Sequence, residues 1–280
     1  MVMYPIYDFG GNGQIINLLP ANGFPPETYL PLLRPLTEHY HVICMLPRAL
    51  WPNEMPPTEL RQWDMLADDL LAGLAHHKLK NVIAVGHSFG GIASMIAAVR
   101  RPELFSALCL LDPTLFRPEW LDGMEQMQRD GSIMEFPLVQ GAVRRRRTFE
   151  THDEAFAYFK SKKLFADWPD ASLRLYVDYG LQTAADGNLE LRWPPEWEAY
   201  YFSTGFTRSW ETAPKLRGLL PVLAIGGSTT DVYVPEIASM LRDELPDATF
   251  ADVAGHGHLF PQSAPHQTLM IIQRWLATLG

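Results

Sequence analysis

The strongest chemical signal in the chain is Gly86-His87-Ser88-Phe89-Gly90, a complete G-x-S-x-G pentapeptide. Before it runs Asn81-Val-Ile-Ala-Val85, largely β-branched and apolar as a buried strand requires. From Phe89 to Arg100 the apolar positions recur at helical spacing, and Pro102 ends the pattern. A strand that turns at once into a helix strains the residue at the turn. Glycines at 86 and 90 remove the Cβ atoms that would clash there and leave the Ser88 hydroxyl above the strand end. The helix aims its unpaired N–H groups and the positive end of its dipole at the same point. The plain alternative is a glycine-rich turn whose serine only caps the helix. Placement between a buried strand and a small-residue helix favours a nucleophile.

A serine nucleophile needs a base to take its proton and an acid to hold that base in the right tautomer. The candidates lie downstream. Asp112 ends the apolar run Ala107–Leu111, and Asp231 follows Pro221–Ile225 through Gly226-Gly227-Ser228-Thr229-Thr230. His256 and His258 follow Thr249–Val253 in Ala254-Gly255-His256-Gly257-His258. No histidine–carboxylate cluster has metal-ligand spacing, and neither G-x-G-x-x-G nor a P-loop occurs, so no metal and no cofactor is implied.

With this elbow in place the chain resembles the α/β-hydrolase family, in which the acid and base follow the nucleophile in the order Ser, Asp, His. The resemblance implies Asp231 as the acid, through its Gly-rich approach and the Pro235 that follows; Asp112-Pro113 is the rival, because some families place the acid at that earlier strand end. It implies His258 rather than His256 as the base, because Gly257-His258-Leu-Phe-Pro-Gln-Ser-Ala-Pro265 carries the short apolar run and the helix-opening proline at the family's spacing. The oxyanion loop, His-Gly-x in the family, reads Asn22-Gly23-Phe24 here, and the backbone N–H groups of Phe24 and Phe89 are its implied donors. Pro47-Arg48-Ala49-Leu50-Trp51-Pro52 departs from the family's Asp-x-Arg-Gly, and Trp51 is a candidate pocket wall. The implied activity is hydrolysis of a small, mostly apolar carboxylic ester, lactone or thioester through an acyl-enzyme. C–C bond hydrolysis or perhydrolysis by the same triad is the alternative. A small-ligand-binding protein with little turnover is the rival from another class.

The elements that position these residues follow the same plan: an α/β-hydrolase fold with a mostly parallel sheet trimmed at its N-terminal edge. Met3–Asp8 is expected as a single edge strand, followed by strands Gln14–Leu19 and Val42–Leu46. Helices are expected over Glu27–Glu38 and, strongly amphipathic, Leu60–Leu74. Residues 1–113 and 215–280 make up the core, and 114–214, where strand–helix alternation stops, an inserted helical cap. Within the insertion, Thr151-His152-Asp153-Glu154 has the form of a capping box opening a helix to about Lys162. Further helices are expected over Asp170–Tyr179 and from near Pro195. Trp193, Trp197, Tyr200 and Tyr201 share one helical face and are candidates to line the pocket, although packing within the cap is the ordinary role of such a stripe. Most of Arg144–Arg147 must be solvated, which leaves open whether one reaches in to a substrate carboxylate.

At 280 residues the chain can bury one large core with an inserted subdomain, and 47 % apolar with 20 % charged residues is an ordinary soluble composition. A net charge of −9 argues against a nucleic-acid surface and for small-molecule work. Met1-Val-Met-Tyr-Pro carries no cleavable signal and no apolar run approaches spanning length, so a cytoplasmic location without a membrane partner is expected, as monomer or homodimer. Cys44 and Cys109 fall in predicted buried strands, as small hydrophobes rather than a disulfide.

Overall fold

The computed structural model describes residues 4–52 and 54–279. Apolar runs form the strands β1 (Ile6–Gly10), β2 (Ile15–Leu19), β3 (His41–Met45), β4 (Val82–His87) and β5 (Phe105–Leu111). An insertion carries the short strands β6 (Thr148–Phe149), β7 (Leu181–Thr183) and β8 (Leu189–Leu191) before the pattern returns in β9 (Val222–Gly227) and β10 (Thr249–Val253). The main sheet has the order β1-β3-β2-β4-β5-β9-β10, parallel except for the antiparallel edge pair of β1 with β3. The single antiparallel edge strand starts later than expected; Met3, which the sequence would include in it, lies outside the described residues.

Strand β4 lies at the centre and is buried at every position. Val82 and Ala84 point to one face of the sheet, Ile83 and Val85 to the other, and each face closes its own apolar cluster. The Glu27–Glu38 segment is not one helix. Pro31 and Pro35 lack the N–H a continuous ladder needs, so it breaks into a 3₁₀ turn Pro26–Tyr29, a single turn α1 (Leu30–Leu33) and a 3₁₀ segment Arg34–Glu38. Helices α2 (Asp64–His76) and α3 (Phe89–Arg100) pack beneath one face. Cys44 and Cys109 are buried and unbridged.

Between β5 and β9 the insertion builds α4 (Pro118–Asp130), α5 (Pro137–Val143), α6 (His152–Lys160), α7 (Asp170–Gly180), α8 (Pro195–Ser203) and the single turn α9 (Ser209–Thr212). It also holds a three-stranded antiparallel sheet, β6-β8-β7, whose strands are too short to show a period in the sequence. Thr151 caps α6 by accepting from Glu154 N–H at 3.1 Å, while the Glu154 carboxylate turns back to Glu150 N–H at 2.7 Å. The chain closes with α10 (Pro235–Glu244), the turn α11 (Phe260–Ser263) and α12 (Pro265–Leu276). Among the described residues no helix is long and apolar enough to cross a membrane.

Candidate active site

The end of β4 sets Ser88 in a conformation that L-residues rarely take, with φ 59° and ψ −124°. The turn closes because its glycines carry no side chain. A Cβ on Gly86 would lie 2.4 Å from Gly90 O, and one on Gly90 only 2.3 Å from Leu19 O. Ser88 N–H donates to Leu111 O at 2.9 Å, which ties the elbow to the end of β5.

Ser88 Oγ lies 3.0 Å from His258 Nε2, and His258 Nδ1 lies 2.7 Å from Asp112 Oδ2. Asp231, expected as the acid, is exposed and is not the partner of His258. The reason is visible in the loop after β9, which presents donors at this point rather than a carboxylate. Gly227 N–H donates to Asp112 Oδ1 at 2.9 Å and the Thr230 hydroxyl to Asp112 Oδ2 at 2.6 Å. Asp112, fully buried, takes φ 43° to meet them. Its carboxylate can only accept, so His258 Nδ1 carries the proton and Nε2 is left to accept from Ser88. The Ser88 proton being committed, the Thr114 hydroxyl at 2.9 Å donates to Ser88 Oγ. Thr114 has no signature in the sequence. His256 sits elsewhere, 2.8 Å from Ser263 Oγ and 3.6 Å from Asp167 Oδ2.

Phe89 begins α3, so its N–H has no acceptor within the helix. Phe24 differs from expectation. Its N–H closes a turn on Ala21 O at 3.2 Å, with Gly23 at φ 85° inside the turn, and is not a free donor. Asn22, in the place of the family's histidine, donates through Nδ2 to Glu198 O at 2.9 Å.

Residues 18–270 match the model of the alpha/beta hydrolase family. The chain belongs to that family. Strigolactone esterase D14 of Arabidopsis thaliana is 26 % identical over 277 residues, covering 95 % of this chain and 94 % of that protein. A shorter match, 33 % identical over 91 residues, covers 32 % of this chain and 32 % of the uncharacterized hydrolase YugF of Bacillus subtilis. Among solved structures, that of E-2-(acetamidomethylene)succinate hydrolase superposes with a TM-score of 0.76 at 21 % identity, over 97 % of this chain and 94 % of that one.

In this alpha/beta hydrolase the aromatic stripe anchors the insertion to the core. Trp197 is wholly buried and its Nε1–H donates to Glu54 O at 2.9 Å. Tyr200 donates to Glu59 O at 3.0 Å and accepts from Arg61 N–H at 3.0 Å. Trp193 packs on Tyr201 at 6.2 Å between ring centroids, and Tyr201 meets Phe89, next to Ser88, at 5.1 Å. Trp51, a candidate wall, is buried, its Nε1–H donating to Leu46 O at 2.7 Å and its ring packing on Tyr4. The residues against the Asn22–Phe24 turn are others. Trp168 and Tyr176 contact the Phe24 ring at 5.8 and 5.6 Å. Of the four arginines only Arg145 turns inward, onto Glu198 and the Tyr176 hydroxyl. A Cβ on Gly23 would stand 3.3 Å from the Glu198 carboxyl carbon and 3.4 Å from an Arg145 nitrogen, so the ion pair lies directly on the turn. Among the described residues no group of three or more His, Cys, Asp or Glu is arranged to hold a metal.

Proposed function

We propose that the protein is a serine hydrolase acting on a small, mostly apolar carboxylic ester, lactone or thioester, with Ser88 as nucleophile, His258 as base and Asp112 as the acid that orients it. The observation that carries the reading is the unbroken file Ser88 Oγ–His258 Nε2 at 3.0 Å and His258 Nδ1–Asp112 Oδ2 at 2.7 Å. His258 takes the serine proton as Oγ attacks the carbonyl carbon, then gives it to the departing alkoxide or thiolate, leaving an acyl-enzyme. Water, deprotonated by the same imidazole, releases the acid. Phe89 N–H, at the positive end of α3 and without an acceptor inside the helix, is the oxyanion donor. Residues 114–214 act as the cap over this site. The likeness to an esterase supports an ester as substrate.

An alkyl phosphonate ester tests the assignment, with the labelled peptide identified by mass spectrometry. Label on Ser88 of the wild type, none on Ser88→Ala, and a fall in kcat on the order of 10⁴-fold or more for that variant are expected. Label at another serine overturns the proposal. A panel of aryl esters of graded acyl length, with lactones alongside, then sorts the substrate class.

A further inference from the structure

The mechanism above gives no role to Tyr29 and His87, yet both are at 0 % exposure and bonded to the loops that carry the chemistry. Ala21 N–H donates to Tyr29 Oη at 2.8 Å. Tyr29 Oη lies 2.7 Å from His87 Nδ1, and His87 Nε2 lies 3.0 Å from the carbonyl oxygen of His258. The carbonyl of His258 can only accept, so His87 carries a proton on Nε2, and with the imidazole neutral Nδ1 is left to accept. Tyr29 therefore accepts from Ala21 and gives its one proton to His87 Nδ1, and His87, protonated on Nε2, donates to His258. Only a neutral imidazole can do both. Burial, with His258 alongside, pushes the His87 pKa well down and keeps it so.

We propose that Tyr29 and His87 are positioning residues that set the spacing of the Ala21–Phe24 turn, the nucleophile and the base. The proposal rests on the serine-hydrolase reading. Ala21 is the residue whose carbonyl accepts the Phe24 N–H, His87 precedes Ser88 in the chain, and His258 is the base. Three bonds thus tie the segment after β2, the last residue of β4 and the loop after β10 into one unit. For stability alone an apolar pair of the same shape would serve, since a buried polar file is costly when any member goes unpaired. The file is justified by what it holds in place.

The test compares wild type, Tyr29→Phe, His87→Phe and the double variant at 15 °C on one aryl ester, with thermal unfolding and the rate of phosphonate labelling at Ser88 in parallel. Each single variant should lower kcat and the labelling rate about tenfold or more with KM within about twofold. The double variant should lose no more than the worse single one, because one file is broken only once. Activity and labelling within twofold of wild type, with only the unfolding temperature lowered, would show a purely structural role and overturn the proposal, as would losses that multiply in the double variant. Should a His87 variant not fold, Tyr29→Phe decides alone, since it removes one oxygen atom and keeps the ring. A wild type that neither turns over esters nor takes the label overturns the hydrolase reading itself, and the positioning role falls with it.

Discussion

Replacing Asp112 by Asn separates the two acids by tautomer chemistry rather than by bulk. Gly227 N–H, 2.9 Å from Asp112 Oδ1, is a fixed donor, so the amide of Asp112→Asn must place its oxygen there. Its NH₂ then faces the Thr230 hydroxyl and His258 Nδ1, which stand 2.6 and 2.7 Å from Oδ2 in the native protein. Thr230 can turn and accept. His258 can accept only by moving its proton to Nε2, where it donates to Ser88 Oγ and can no longer take the serine proton. Loss of the correct tautomer costs on the order of 10⁴ in kcat. That is about 5 kcal/mol of barrier. The same change at Asp231, an exposed residue, should leave kcat within about twofold, as surface substitutions seldom exceed 0.5 kcal/mol. The assay is kcat of both variants on one aryl ester near neutral pH, with unfolding curves to show that both remain folded. A larger loss for Asp231→Asn, or Asp112→Asn keeping more than about a tenth of wild-type kcat, would refute the argument.

Three further outcomes follow from particular contacts. The His87 pKa is depressed below its ordinary 6.5 by burial first and by His258 second, so between 6.5 and its native value the unfolded chain binds a proton that the folded chain refuses. Stability is therefore full above 6.5 and falls with acidification, at up to about 1.4 kcal/mol per pH unit from this group, and His87→Phe should flatten that part of a urea-unfolding pH series; an unchanged slope would contradict it. Glu198→Gln leaves the Arg145 guanidinium without its counter-charge and should cost about 3 kcal/mol in urea unfolding, the low end for a buried pair because both side chains keep some exposure, whereas Arg145→Met with Glu198→Leu should recover most of it. Trp197→Ala should lower stability by about 3–5 kcal/mol and reduce activity by one common factor across acyl lengths, since the indole is wholly buried and bonded to Glu54 O; a loss confined to long acyl chains would return Trp197 to the pocket.

The strands of the main sheet and the long core helices were legible because their apolar runs and helical spacing carry a period; the broken Glu27–Glu38 segment and the short β6, β7 and β8 were not. The elbow was legible because only glycine fits at 86 and 90. The pairing of His258 with Ser88 was legible from the residues around His258, and its Nε2 lies 3.0 Å from Ser88 Oγ. Phe24 was misjudged because a backbone donor carries no side-chain mark of whether a turn has already used it. Arg145 could not be singled out within its run, since its inward turn is set by Glu198 and Tyr176, distant in sequence. The carboxylate partner of His258 is the most instructive miss. Strands β5 and β9 are neighbours, with Leu111 opposite Ile225, so the residues just past their ends enter the same small volume. One residue decides between them: Thr230 points its hydroxyl into that volume, and Asp231, the next residue, points out to solvent. Asp112 then fills the place, with the loop once expected to supply the acid supplying two of the three donors that hold it. That Asp112 and not Asp231 meets His258 is thus set by the backbone turns just past β5 and β9, which no periodicity in the sequence records.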